Sequence, residues 1–96
     1  MSQSRQLAAI MFTDIVGYTA LMGDDERSAF ELLNKNRAIQ KPIINQFHGR
    51  WIKELGDGVM ASFNTVSDAV SAAVDIQKAC NLIKPFNLEL EFIWVM

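Results

Sequence analysis

The sequence has few of the features that mark secreted, membrane-spanning or nucleic-acid-binding proteins. Cys80 is the one cysteine among 96 residues and cannot form an internal disulfide bond, which favours a reducing compartment. No apolar stretch approaches the ~20 residues that cross a membrane, and residues 1–5 lack the apolar segment of a signal peptide. There is no basic run, and the net charge is -2. We therefore expect a cytoplasmic protein with no membrane segment and no nucleic-acid partner.

Length and composition favour one small domain with a modest core, since half of the residues are apolar and 21% are charged. Residues 7–13 predict its first strand, and their continuous apolar run predicts that both faces of the strand are covered. The strand leads directly to Asp14, and Gly17 is expected to end it. A buried strand that ends on a carboxylate and then turns is a suitable place to hold a metal ion or a phosphate.

A helix is predicted next, because Asp24, Asp25 and Glu26 complement a helix N-terminus. Its apolar stripe consists of Ala29, Phe30, Leu33, Ile39, Ile43, Ile44 and Phe47. Pro42 interrupts the stripe and predicts a kink or restart near Gln40 and Lys41. Gly49 is the expected C-terminal stop.

The second half of the sequence predicts a hairpin, a helix and a last strand. Segments 50–55 and 59–63 flank Gly56-Asp57-Gly58, in which glycine supplies the positive φ of a tight turn. Residues 65–68 resemble a capping box. The helix after it carries apolar residues at helical spacing and is expected to end at Pro85. These residues are Ala69, Val70, Ala73, Val74, Ile76, Ala79, Cys80 and Ile83. Residues 88–94 alternate with period two, as in a strand.

The order strand, helix, strand, strand, helix, strand predicts an α+β fold, the ferredoxin-like β-α-β-β-α-β sandwich. Its antiparallel sheet would carry two helices on one face. Strands one and three are antiparallel neighbours in that fold, so the end of the first lies beside the start of the third. Asp14 and Asp57 occupy these ends, and we expect them to meet.

Two adjacent carboxylates repel each other unless a cation lies between them. Magnesium prefers oxygen ligands and keeps positions for water and phosphate, and two such ions can assist phosphoryl transfer. Each residue also has a plainer interpretation: Asp14 as a capping residue, Asp57 as a turn former and Lys53 as a solvated strand lysine. The pair of aspartates at matching strand ends is the stronger signal.

Residues 12–19 (FTDIVGYT) together with residues 53–61 (KELGDGVMA) resemble the catalytic domain of class III adenylate/guanylate cyclases, and the likeness runs from about residue 7 to about residue 90. The resemblance implies conversion of ATP to cyclic AMP and pyrophosphate, with two Mg²⁺ or Mn²⁺ ions as cofactors. It implies that Asp14 and Asp57 are catalytic metal ligands and that the Ile15 carbonyl contacts the second metal. Lys53 matches the position that reads the purine, where lysine accompanies adenine. The remaining substrate-binding positions that it implies are Gly17, Tyr18, Thr19, Leu55 and Gly56.

The family domain continues well beyond residue 96, and its later part carries further residues for base, ribose and phosphates. Where the family has a pattern like Gly-Ile-His-Leu-Gly-Asp, this sequence has Glu91–Met96, and one nucleotide string encodes both peptides in adjacent frames. We therefore expect residues 1–96 to be a partial cyclase domain, truncated or frameshifted after about residue 90. Family enzymes build each active site between two chains, so we expect a homodimer that binds metal but has little or no turnover.

Two alternatives remain open at this point. The first is a non-catalytic, self-associating ferredoxin-like interaction module that pairs through its last strand. The second is another palm-type nucleotidyl transferase, such as a diguanylate cyclase. Residues 55–58 (LGDG) match the Gly-Gly-Asp-Glu-Phe turn of that class poorly.

Overall fold

The computed structural model describes residues 8–83 and 88–95, with side chains described up to residue 80. Its elements, in chain order, are β1 (Ala8–Ile15), α1 (Tyr18–Asp24), α2 (Glu26–Gln46), β2 (Arg50–Leu55), β3 (Gly58–Phe63), α3 (Val66–Ile83) and β4 (Leu88–Val95). Among the described helices, none combines the length and the apolar character that a membrane crossing requires. Pro85 lies outside the described residues.

The four strands form one antiparallel sheet in the order β2-β3-β1-β4. This order confirms the predicted ferredoxin-like arrangement, in which β1 and β3 are antiparallel neighbours. Thr13 pairs with Val59 in the last β1–β3 rung, and Asp14 lies opposite Glu89 of β4. The end of β1 therefore lies beside the hairpin that joins β2 to β3.

The helices α2 and α3 cover one face of the sheet, where the core is built. The core consists of Ala9, Met11, Ile15, Ile39, Ile44, Ala61, Phe63, Ala69, Ala72, Ala73, Ile76 and Cys80. The expectation that both faces of β1 are covered is wrong. Its burial alternates, with Ile10 and Phe12 half-buried and Asp14 exposed on the helix-free face. A continuous apolar run hides this alternation, because the residues on both faces are hydrophobic.

The predicted N-terminus of α2 is confirmed. The Asp25 side chain accepts hydrogen bonds from the backbone N–H and the hydroxyl of Ser28, at 3.2 and 2.7 Å. The expected restart near Gln40 is wrong, since α2 runs as one helix through Pro42. Pro42 cannot donate to the carbonyl of Ala38, and both residues are exposed, so water can satisfy that carbonyl.

The C-terminus of α2 is a Schellman motif, with His48 rather than glycine as its left-handed residue. His48 has a φ of 62° and donates its N–H to the Asn45 carbonyl, while the Gly49 N–H bonds to the Ile44 carbonyl at 2.8 Å. Gly49 meets a different requirement from the expected stop. A Cβ there would lie 2.5 Å from the Phe63 ring, so glycine is needed for close packing.

Two further expectations about the helices are corrected. The short helix α1 was not expected, because residues 18–24 are too few to show a clear periodicity. The N-terminus of α3 is capped as predicted, since Thr65 Oγ1 accepts the Asp68 N–H at 3.0 Å. However, Val70 and Val74 face solvent, and so does Phe30 on α2. The inward stripe of α3 is instead made largely of small residues, which let the helix approach the sheet closely.

Candidate active site

The structure brings Asp14 and Asp57 to one corner of the sheet. The Oδ2 atom of Asp57 accepts a hydrogen bond from the Ile15 backbone N–H at 2.9 Å, which ties the hairpin to the end of β1. The Asp14 carboxylate lies against the same hairpin, since a Cβ on Gly58 would be 2.7 Å from its Oδ1 atom. The two carboxylates thus approach one region, Asp14 from the end of β1 and Asp57 from the hairpin loop.

The hairpin that carries Asp57 has a two-residue loop, as the glycine pattern predicted. Leu55 pairs with Gly58, and Gly56 adopts a φ of 60°, which glycine accommodates without strain. Asp57 follows Gly56 in this loop and is only partly exposed. Because the loop is so short, the register of the two strands fixes the position of the Asp57 backbone.

The turn after β1 contains three predicted phosphate-binding residues. Gly17 has a φ of 78° and precedes α1, and no side chain caps that helix N-terminus. Backbone N–H groups at the start of a helix lack intrahelical partners and attract anions. Tyr18 packs its side chain against the core, whereas Thr19 is exposed. Thr19 is therefore the more accessible of the two side chains at this turn.

A cleft of about 190 Å³ opens on the helix-free face of the sheet, beside Asp14. Its lining comprises Phe12, Thr13, Asp14, Lys53, Leu55, Gly58, Val59 and Met60. Phe12 and Lys53 both pair with Met60, so the three residues share this face. The predicted site residues Lys53 and Leu55 thus lie in one cleft with Asp14. Phe12 and Met60 were missed, although Phe12 lies two positions before Asp14 on one strand and therefore shares its face.

Two contacts from α2 hold β2, the strand that carries Lys53. The Arg37 Nε donates to Glu54 Oε1 at 2.7 Å, and the Lys41 Nζ lies 5.1 Å from the centre of the Trp51 ring. Trp51 packs at the edge of the core. These contacts lie on the helix side of the strand, whereas Lys53 shares the opposite face with the cleft.

The residues present fit a hydrated divalent cation. No described side chain donates a hydrogen bond to the Asp14 carboxylate, and Asp57 uses only Oδ2, so each aspartate keeps free oxygen atoms. Among the described residues no cluster of three or more acidic, histidine or cysteine side chains occurs. Magnesium commonly takes one or two carboxylates and completes its shell with water and substrate phosphate, and this arrangement suits the pair.

Comparisons with known proteins agree with this geometry. The family model of the adenylate and guanylate cyclase catalytic domain matches residues 1–92. A curated relative from Rhizobium meliloti (strain 1021), "Putative adenylate cyclase 3", is 40% identical over 76 residues, which are 78% of this chain and 13% of that protein.

Solved structures show the same fold. The adenylate/guanylate cyclase/hydrolase from Silicibacter pomeroyi has a TM-score of 0.81 and 27% identity, and the match covers 96% of this chain and 58% of that one. The adenylyl cyclase CyaB from P. aeruginosa has a TM-score of 0.77 and 22% identity, with 98% and 58% covered. This chain therefore spans a little more than half of those structures. It belongs to the adenylate and guanylate cyclase catalytic domain family.

Proposed function

We propose that this chain is the metal- and nucleotide-binding part of an adenylate cyclase domain that converts ATP to cyclic AMP and pyrophosphate. The observation that supports this most is the tie between Asp57 and the Ile15 N–H, which brings the hairpin to the end of β1 beside Asp14. Divalent cations bound there would neutralise the triphosphate and polarise the attacking 3′-hydroxyl. The free oxygens of Asp14 and Asp57 would hold them, together with the Ile15 carbonyl.

In this proposal the chain's own residues place the nucleotide along the cleft. Lys53 would donate to the adenine, with the apolar surface of Leu55 beside the base and Gly56 leaving room at the turn. The N–H groups of Gly17, Tyr18 and Thr19 would hold phosphate oxygens. Loss of one preorganised donor typically lowers a rate by ~10²–10³. Since the family's later residues supply several donors, we propose that residues 1–96 bind substrate with little turnover.

The test is Mn²⁺ and ATP binding to the purified chain, measured by electron paramagnetic resonance of free Mn²⁺ and by calorimetry. We expect Asp14→Asn and Asp57→Asn to abolish Mn²⁺ binding. Glu31→Gln, which removes the same charge from an exposed position on α2, should bind as the wild type does. Equal binding by all four proteins would refute the proposal. Cyclic AMP formation by the wild type, lost in Asp14→Ala, would refute the low turnover alone.

Substrate choice has a separate test. Lys53→Glu should weaken ATP binding and favour GTP, because a carboxylate accepts hydrogen bonds where the ammonium group donates them. Lys41→Gln is the matched control, since Lys41 contacts Trp51 on the helix side of the sheet. If the ratio of ATP to GTP affinity is unchanged in Lys53→Glu, Lys53 does not contact the base.

Self-association is the second candidate function. Among the described strands, β4 has a hydrogen-bonded neighbour on one side only, and an open edge can pair with another chain. Light scattering of the metal-free chain across a concentration series tests this. A monomer at all concentrations would exclude it.

A further inference from the structure

Three polar side chains are buried together between α2 and the end of β1. Thr13 is 1% exposed, and Asn36 and Gln40 are fully buried. The Gln40 Nε2 donates to Thr13 Oγ1 at 3.0 Å and to Asn36 Oδ1 at 2.8 Å. The Thr13 hydroxyl faces Gln40 Oε1 at 3.4 Å. A continuous hydrogen-bonded chain thus connects the middle of α2 to the residue before Asp14.

This network carries a penalty that an apolar core would not. Asn36 Nδ2 is buried without a partner among the described residues, and an unpaired buried donor is unfavourable. Apolar side chains of similar size would avoid that penalty, and the neighbouring core is apolar. Hydrogen bonds depend on direction, whereas apolar contacts do not. The bonds of this network therefore fix the rotation of the side chains that they join.

The network acts where β1 keeps only one neighbouring strand, β4, instead of two. The last β1–β3 rung is Thr13 with Val59, so Asp14 and Ile15 extend past that ladder. Successive side chains of a strand point to opposite faces. When Gln40 fixes Thr13 toward the core, it therefore sets the direction in which Asp14 leaves the opposite face. On the C-terminal side of Asp14, the hydrogen bond from the Ile15 N–H to Asp57 holds the backbone.

We infer that Gln40, oriented by Asn36 and bonded to Thr13, is a positioning residue that aims the Asp14 carboxylate and so sets the affinity of the Asp14–Asp57 pair for a divalent cation. This inference rests on the proposed function. Gln40 would touch neither metal nor nucleotide bound in the cleft, because it is fully buried on the core side of the sheet. Its effect passes through the backbone between Thr13 and Asp14.

The experiment compares side chains of similar shape that keep or lose the hydrogen-bonding group. Thr13→Val removes the hydroxyl bond and keeps the side-chain volume, whereas Thr13→Ser keeps the hydroxyl. Gln40→Met keeps the length and removes the amide. We expect Thr13→Val and Gln40→Met to weaken Mn²⁺ binding about tenfold, as loss of an outer-shell partner does. Thr13→Ser should remain close to the wild type, and so should Lys41→Gln, a change at the next position of the same helix.

Mn²⁺ binding to the full chain is measured by electron paramagnetic resonance, under conditions in which circular dichroism shows every variant folded. If Asp14→Asn loses Mn²⁺ while Thr13→Val and Gln40→Met bind as the wild type does, the positioning role is wrong and the proposed function stands. If wild type and Asp14→Asn bind alike, both are wrong. If Gln40→Met does not fold, the comparison of Thr13→Val with Thr13→Ser decides, and equal affinities overturn the inference.

Discussion

Replacing Gly58 with alanine tests how closely the hairpin confines the Asp14 carboxylate. A Cβ on Gly58 would lie 2.7 Å from Asp14 Oδ1 and 3.2 Å from the Leu55 carbonyl oxygen. Gly58 is not among the described glycines with positive φ, so alanine needs no left-handed backbone there, and the Leu55 oxygen must yield by only a few tenths of an ångström. Ordinary contact begins at 3.4 Å, and the carboxylate must therefore move by about 0.7 Å.

This displacement is large for a binding site and small for the fold. Functional groups need to be held within ~0.5 Å of their working positions. We expect Gly58→Ala to weaken Mn²⁺ binding about tenfold or more, within the range seen when supporting contacts of a metal site are lost. The free energy of unfolding should change by less than about 1 kcal/mol, because the exposed Asp14 can rotate away and the Leu55 oxygen needs to shift by only a few tenths of an ångström. Mn²⁺ titration and urea unfolding measure the two quantities.

Gly49→Ala is the matched control, with the opposite expected result. Its Cβ would lie 2.5 Å from the Phe63 ring and 2.7 Å from the Ile44 side chain, which are both buried and cannot swing out. Such overpacking costs ~1–3 kcal/mol, and each kcal/mol lowers Tm by ~4–8 °C in a domain of this size. Mn²⁺ affinity of the folded protein should not change. If Gly58→Ala binds Mn²⁺ like the wild type while Asp14→Asn does not, the hairpin does not confine the carboxylate.

Further predictions concern the rest of the fold. Phe63→Ala should lower the free energy of unfolding by ~3–5 kcal/mol in urea titrations, because the ring is a fully buried part of the core; a loss below ~1 kcal/mol would contradict this packing. Burial raises the pKa of the Cys80 thiol to about 11, so at pH 8 it should react with a disulfide reagent far more slowly in the native than in the denatured chain. Hydrogen bonds from Ser28 hold the pKa of Asp25 below its ordinary value of 3.8, so Asp25 stabilises the fold above that pH and loses this effect as pH falls through its folded pKa. The difference in stability between wild type and Asp25→Ala should therefore narrow in acid, and a constant difference would exclude the cap.

Interactions between neighbouring residues predicted the hairpin and the N-termini of the two long helices, α2 and α3. Gly56 and Asp57 can form few structures other than a tight turn, and Asp25 and Thr65 cap helices through bonds that span only three residues. Because these signals involve neighbouring residues, the sequence contains all of the information that they need. The strand order then followed from the element order, and it predicted that Asp14 and Asp57 lie close together.

The features that were missed depend on contacts between distant residues. Val70 lies at a helical spacing from other apolar residues, which favours a buried position. Only the packing of α3 on the sheet shows that Val70 faces solvent. Pro42 is tolerated because its position on α2 faces water. The buried bond between Gln40 and Thr13 joins residues 27 positions apart. No local pattern distinguishes such a glutamine from a solvated one.

The two sides of the cleft differ in how freely they can change. β1 pairs with β3 as far as Thr13 and with β4 through Ile15, so a shift of the whole strand that moved Asp14 along the sheet would break both ladders. β2 is an outer strand, and its pairing with β3 is irregular between Trp51 and Lys53. An irregularity of this kind re-aims the side chains that follow it. With the roles proposed above, this architecture allows substitutions in β2 to change the nucleotide preference during evolution while the cation-binding side of the cleft keeps its geometry.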